Sequence, residues 1–125
     1  MVNIVYQHTR GGLALQVILK KNGRTLIAQL IGELDHHSAG EVRETLENAI
    51  KSKAIQNLIF DFSKLNFMDS SGIGDIIGRY KLIKALGGTV NVVCANRQMD
   101  RLMTMSGLKK LIDVYSDLDQ AISNL

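Results

Sequence analysis

Two short stretches of the 125-residue chain gather the side chains best suited to chemistry: Gly32-Glu33-Leu34-Asp35-His36-His37-Ser38 and Phe67-Met68-Asp69-Ser70-Ser71-Gly72. Paired serine hydroxyls behind a carboxylate suit three tasks. Asp69 and the serines can cap a helix by accepting from its first N–H groups. Ser70 can carry a phosphate, because unpaired N–H groups and the positive dipole end of a helix start offer an anion ready donors. Ser70 can also act as a nucleophile with His36 or His37 as base, the mark of a small hydrolase, but no G-x-S-x-G elbow or oxyanion loop frames it.

Metal chemistry is not expected. Asp35-His36-His37 lacks the i, i+4 histidine pair that grips a metal from one helix face. His8 is the only other histidine, and Cys94 stands in a separate apolar run. Gly72-Ile73-Gly74 is too short for a dinucleotide fingerprint and there is no P-loop, so no cofactor is expected.

Ser70, Gly74 and Gly78 recur at i, i+4 and i+8, which on a helix is one side. Two helical glycines cost about 1 kcal/mol each relative to Ala, so something must offset them. Tight internal packing is one account; a side-chain-free strip for the close approach of a partner backbone is the other. Ser71, Asp75 and Arg79 line the adjoining face, where Asp75 and Arg79 are spaced for an ion pair worth a few tenths of a kcal/mol.

The elements that must position these residues follow from periodicity and punctuation. Residues 1–12 read as a short edge strand or a loose arm ending at Gly11-Gly12, and residues 13–125 as the domain. Residues 13–20 and 25–31 are strand-like, joined at Asn22-Gly23 by a hairpin turn. Ser38 and Glu41 form a capping box ahead of Val42, Leu46, Ala49 and Ile50 at helical spacing. Residues 57–62 suit a buried strand and 65–69 a loop. A helix from about 70 to 86 buries Ile73, Ile76, Ile77, Tyr80 and Ile83 and stops at Gly87-Gly88. A strand at 89–94 precedes a helix capped by Asn96 and carrying Met99, Leu102 and Met103. Residues 111–114 form a short strand, and Ser116 or Asp117 caps a last helix.

Alternating strands and helices predict an α/β single domain. It has a mostly parallel sheet of about five strands, flanked by about four helices, with the first hairpin strand as an antiparallel edge. In such sheets sites lie beyond the carboxyl ends of strands, at helix N-termini, which places both chemical loops together. Asp35 is the carboxylate of the first loop expected to pair with a basic partner group or to hydrogen-bond the serine region.

Composition narrows the class. Apolar residues make up 46% and aromatics 5%, without Trp, so the core is aliphatic. The net charge of +3 is spread out and not interleaved with aromatics, which argues against nucleic-acid binding. A lone cysteine fits a reducing compartment. No apolar stretch is long enough to span a membrane and no signal pattern opens the chain, so a cytoplasmic protein with no membrane partner is expected.

The stretches GELDHHSA (32–39), FMDSSGIG (67–74), IIGRYKLIK (76–84) and RLMTMSGLKKLI (101–112) resemble STAS domains of the anti-sigma factor antagonist type. The D-S-S/T-G-x-G element resembles the switch branch, and the DHH and GRYK-x-IK stretches resemble its sporulation members. The resemblance implies a mixed sheet flanked by helices and a regulatory protein that is not an enzyme. It implies phosphorylation of Ser70 by an anti-sigma factor that is also a serine kinase, and resetting by a serine phosphatase. The unphosphorylated form would bind the kinase and free the sigma factor. Asp35, His36, His37, Asp69, Ser70, Ser71, Gly72, Gly74 and Gly78 are the expected partner surface. A stress-response antagonist is the alternative within the family. Asp75 departs from the family's pattern, which has a small or apolar residue there.

Overall fold

The computed structural model describes the backbone of residues 3–10 and 13–125 and the side chains from Leu15 onward. Strands β1 (Asn3–Arg10), β2 (Leu13–Asn22) and β3 (Thr25–Leu34) are antiparallel neighbours. Helix α1 (Ala39–Ser52) then crosses to β4 (Asn57–Met68), α2 (Ser70–Ala85) to β5 (Val90–Val93), and α3 (Arg97–Met105) to β6 (Asp113–Tyr115), each new strand parallel to the last. Helix α4 (Leu118–Ser123) follows. The spatial order among the described residues is β1-β2-β3-β4-β5-β6. The five strands read from the pattern are present, and β1 adds a sixth outside β2, so β2 is not the edge. Gly11 and Gly12 lie outside the described residues.

Alternation along the strands sorts side chains to two faces. Leu15, Val17, Leu19, Leu26, Ala28, Leu30, Leu58, Phe60, Val90 and Val92 meet the apolar stripes of α1, α2 and α3 in the main core. Ile27, Ile59 and Val93 point the other way and are covered by α4 through Ala121, Leu118 and Ile122. Buried Asn91 fastens that helix, donating from Nδ2 to the Ala121 carbonyl at 2.9 Å.

Four local expectations are corrected. The hairpin turn is centred on Gly23-Arg24 rather than Asn22-Gly23: Asn22 pairs with Thr25, and Gly23 takes φ +62°, which suits a type II′ turn with Gly first. Strand β4 runs on through Met68, where a loop was expected from Leu65. Its pairing with β3 slips twice, from Gln29↔Asp61 to Ile31↔Lys64 and from Gly32↔Leu65 to Glu33↔Phe67. Each slip adds a residue to β4, a bulge that bends the strand and breaks the period of two, so the buried residues become Phe62, Leu65 and Met68. The capping box does not form: the Ser38 hydroxyl makes no cap bond to α1 and instead donates back to the Glu33 carbonyl at 3.3 Å. On α2, Asp75 and Arg79 are buried, while Ile73, Ile77 and Tyr80 are only partly buried against the core.

Candidate functional site

Because β3 and β4 are parallel neighbours ending in register at Leu34 and Met68, the loops that follow leave the sheet side by side. Asp69 joins them. Its backbone is extended at the N-cap of α2, and its N–H donates to the Leu34 carbonyl at 3.3 Å. Carboxylate Oδ1 accepts from the Ser71 N–H at 2.9 Å and the Gly72 N–H at 3.3 Å. Oδ2 accepts from the His36 N–H at 3.0 Å and stands 3.5 Å from His36 Nδ1. One side chain thus caps α2 and holds the histidine loop against it.

Asp35 turns inward and does not face a partner. It is 5% exposed, and its Oδ1 accepts from the His37 N–H at 2.9 Å and the Ser38 N–H at 3.3 Å. That is an Asx turn, the loop's own fastening. Its backbone N–H in turn donates to Ser38 Oγ at 3.2 Å. The exposed groups of this loop are His36 and His37, whose rings lie 3.9 Å apart. Neither has a hydrogen bond to Ser70 among the described residues, so the arrangement pairs His36 with Asp69 rather than with a serine nucleophile. No three His, Cys, Asp or Glu side chains converge as a metal site among the described residues.

Ser70 is the first residue of α2 and is exposed. The donors expected to receive a phosphate there are already in use. Ser71 and Gly72 donate to the Asp69 carboxylate and Ile73 to its carbonyl at 3.2 Å. A phosphate on Ser70 therefore projects into solvent beside a carboxylate.

The glycines divide. A methyl group at Gly72 would stand 2.5 Å from Met68 Cγ and 3.0 Å from the Leu34 carbonyl oxygen, so Gly72 is an internal packing residue and is buried. At Gly74 and Gly78 a methyl group would meet nothing within 4 Å. Internal packing does not explain these two, and the strip they share with Ser70 is open.

Two features of the site escaped the pattern. Phe67 is 41% exposed at the end of β4, where the bulge preceding it redirects its side chain outward. Asp75 and Arg79 face α1 rather than solvent, at 4% and 7% exposure. Arg79 Nη2 pairs with Glu47 Oε2 at 3.2 Å, and Nη1 lies 3.9 Å from Asp75 Oδ1. Asp75 Oδ2 and Arg79 Nε and Nη1 are buried and have no hydrogen-bond partner among the described residues. Burial pushes the Asp75 carboxyl up from 3.8 to about 6, against the pull of the Arg79 and Arg43 guanidiniums and with a further push from Glu47. Burial likewise raises the Cys94 thiol.

The STAS domain profile matches residues 16–121. The chain belongs to the STAS-domain family. An anti-sigma F factor antagonist of Paenibacillus polymyxa is 40% identical over 111 residues, covering 89% of this chain and 95% of that protein. The anti-sigma-B factor antagonist of Bacillus subtilis (strain 168) is 30% identical over 100 residues, covering 80% and 90%. The solved structure of the Bacillus cell fate determinant SpoIIAA in its phosphorylated form superposes with a TM-score of 0.68 at 31% identity, covering 86% of this STAS chain and 97% of the other. These similarities place the chain among the anti-sigma factor antagonists. None of its described helices is long and apolar enough to cross a membrane.

Proposed function

We propose that this chain is a cytoplasmic anti-anti-sigma switch that works by binding and not by catalysis. Unphosphorylated, it binds a cognate anti-sigma factor that is also a serine kinase, and the sigma factor is released. Phosphorylation of Ser70 ends binding, and a serine phosphatase restores it. The observation that carries this reading is the exposed Ser70 at the head of an open strip, on a loop tied by Asp69 to the exposed histidines. A phosphoryl group adds about −1.5 to −2 charge at pH 7. With the first N–H groups of α2 already capped, that charge stays at the surface and excludes a closely fitted partner by bulk and repulsion, without refolding.

The 40% identity to an anti-sigma F factor antagonist, against 30% to an anti-sigma-B factor antagonist, favours the sporulation type over the stress-response type. The test is incubation with an anti-sigma F kinase and ATP, followed by peptide mapping and gel filtration. Phosphate on Ser70 and a complex formed only by the unphosphorylated chain are expected. Phosphate on Ser71 with Ser70 bare, or equal binding by both forms, refutes the proposal.

A further inference from the structure

Between the N-terminal ends of α1 and α2 lies a cleft of about 490 Å³, lined by His36, Ala39, Gly40, Arg43, Ser71, Gly74, Asp75 and Arg79. Three observations converge on it. Helix α1 begins at Ala39 and Gly40 with no side-chain cap, whereas α2, α3 and α4 are capped by Asp69, Asn96 and Asp117. An uncapped helix start favours anions through its free N–H groups and dipole. Arg43, one turn along α1, lines the same cleft and is exposed. Arg79 forms part of the wall and is more than nine-tenths buried, with donors Nε and Nη1 lacking an acceptor. Buried donors are almost always paired, and a guanidinium matches the oxygens of a tetrahedral oxyanion in a fork.

We propose that this cleft is a small-oxyanion site, holding a sulfate- or phosphate-sized group between the uncapped start of α1 and the guanidiniums of Arg43 and Arg79. Rotation about the last bonds of Arg79 turns its unsatisfied edge from the wall toward the ligand. Asp75 sets the condition for entry. The groups facing it are Arg79 on its own helix and Arg43 and Glu47 on α1, with His36 on the cleft wall from the β3–α1 loop. Ionised, Asp75 repels the ligand; protonated, its free oxygen donates to it. Binding therefore takes up a proton. The site is separate from the phosphoacceptor: Ser71 and Gly74 border it, and Ser70 is not among its lining residues. It does not depend on the sigma-factor reading.

The experiment titrates the whole chain with sodium sulfate at constant ionic strength, balanced by chloride, and follows amide shifts by NMR. Sulfate does not itself titrate between pH 6 and 8, so any pH dependence belongs to the protein. Saturable shifts at Gly40, Ser71 and Gly74 are expected, with affinity rising by up to about tenfold per pH unit as pH falls from 8 toward 6, the slope for one linked proton. Arg43→Gln, on an exposed side chain that leaves the core intact, should lower affinity at least about tenfold. Asp75→Asn should bind with little pH dependence. Non-saturating shifts spread over surface lysines, or wild-type affinity in Arg43→Gln, overturn the proposal. A pH slope that survives in Asp75→Asn and vanishes in His36→Gln overturns the role given to Asp75.

Discussion

On one side of α2, Gly74 and Gly78 look onto open space; on another, Gly72 is pressed against Met68 and the Leu34 backbone, and Asp75 and Arg79 are buried against α1. Glycine serves opposite ends a few residues apart. At Gly72 the missing side chain lets α2 seat itself on the ends of β3 and β4. At Gly74 and Gly78 nothing inside the molecule uses the space, although each glycine costs about 1 kcal/mol of helix propensity. An unused cost of that size inside a regular helix points outward, to a surface kept bare beside Ser70.

The sharpest contrast comes from charge at Ser70. Ser70→Asp, a partial mimic of the phosphoserine, should weaken binding to the anti-sigma factor by at least about a hundredfold while leaving the melting temperature within a degree or two. A large loss of stability in Ser70→Asp, measured by thermal unfolding, would show that the open side is coupled to the fold after all.

The buried side should answer to pH. Burial raises the Asp75 pKa to about 6 from 3.8, so the native state keeps this proton where the unfolded chain has lost it. Stability from this group is fully present below about pH 4, is lost as pH rises toward 6, and is flat above. Two units correspond to about 3 kcal/mol as an upper figure. Asp75→Asn removes this slope, and urea denaturation of both proteins at pH 4, 5, 6 and 7 measures the difference. Parallel curves would mean that Asp75 is ionised and accommodated throughout.

Gly72→Ala must push aside Met68 or shift the Leu34 backbone and should destabilise by about 1–3 kcal/mol. Gly78→Ala meets no neighbour and should stabilise the free protein by up to about 1 kcal/mol, with weaker partner binding. Thermal unfolding separates these two by sign. If Gly78→Ala stabilises and binding is unimpaired, the strip is not a partner surface at that position.

What was legible in the sequence was what is decided locally. The caps Asp69, Asn96 and Asp117 each accept from N–H groups two or three residues on, and a residue type at that offset announces itself. The alternation of strands and helices, the convergence of the two loops and the exposed place of Ser70 came from the same local rules plus topology. The rest depended on distant neighbours. The length of β4 is hidden by two bulges that exist only in its pairing with β3. Asp35 and Asp75 carry the same carboxylate as a surface residue, and nothing near them in sequence says that one folds into its own loop and the other against α1. Ser38 and Glu41 had the spacing of a capping box, but Asp35 and the Glu33 carbonyl, both upstream, claimed the hydroxyl.

The strand order has a consequence for how the molecule is assembled. Every strand lies beside its sequence neighbour, so no pairing waits for a segment more than one crossover away. Loop closure stays inexpensive in entropy, and the mean sequence separation of contacts is low for a sheet protein, which favours fast folding. A ribosome releasing this chain exposes β1, β2 and β3 as a self-sufficient ribbon first. Each later helix-and-strand unit then finds its template already standing, and α4 closes the second face last.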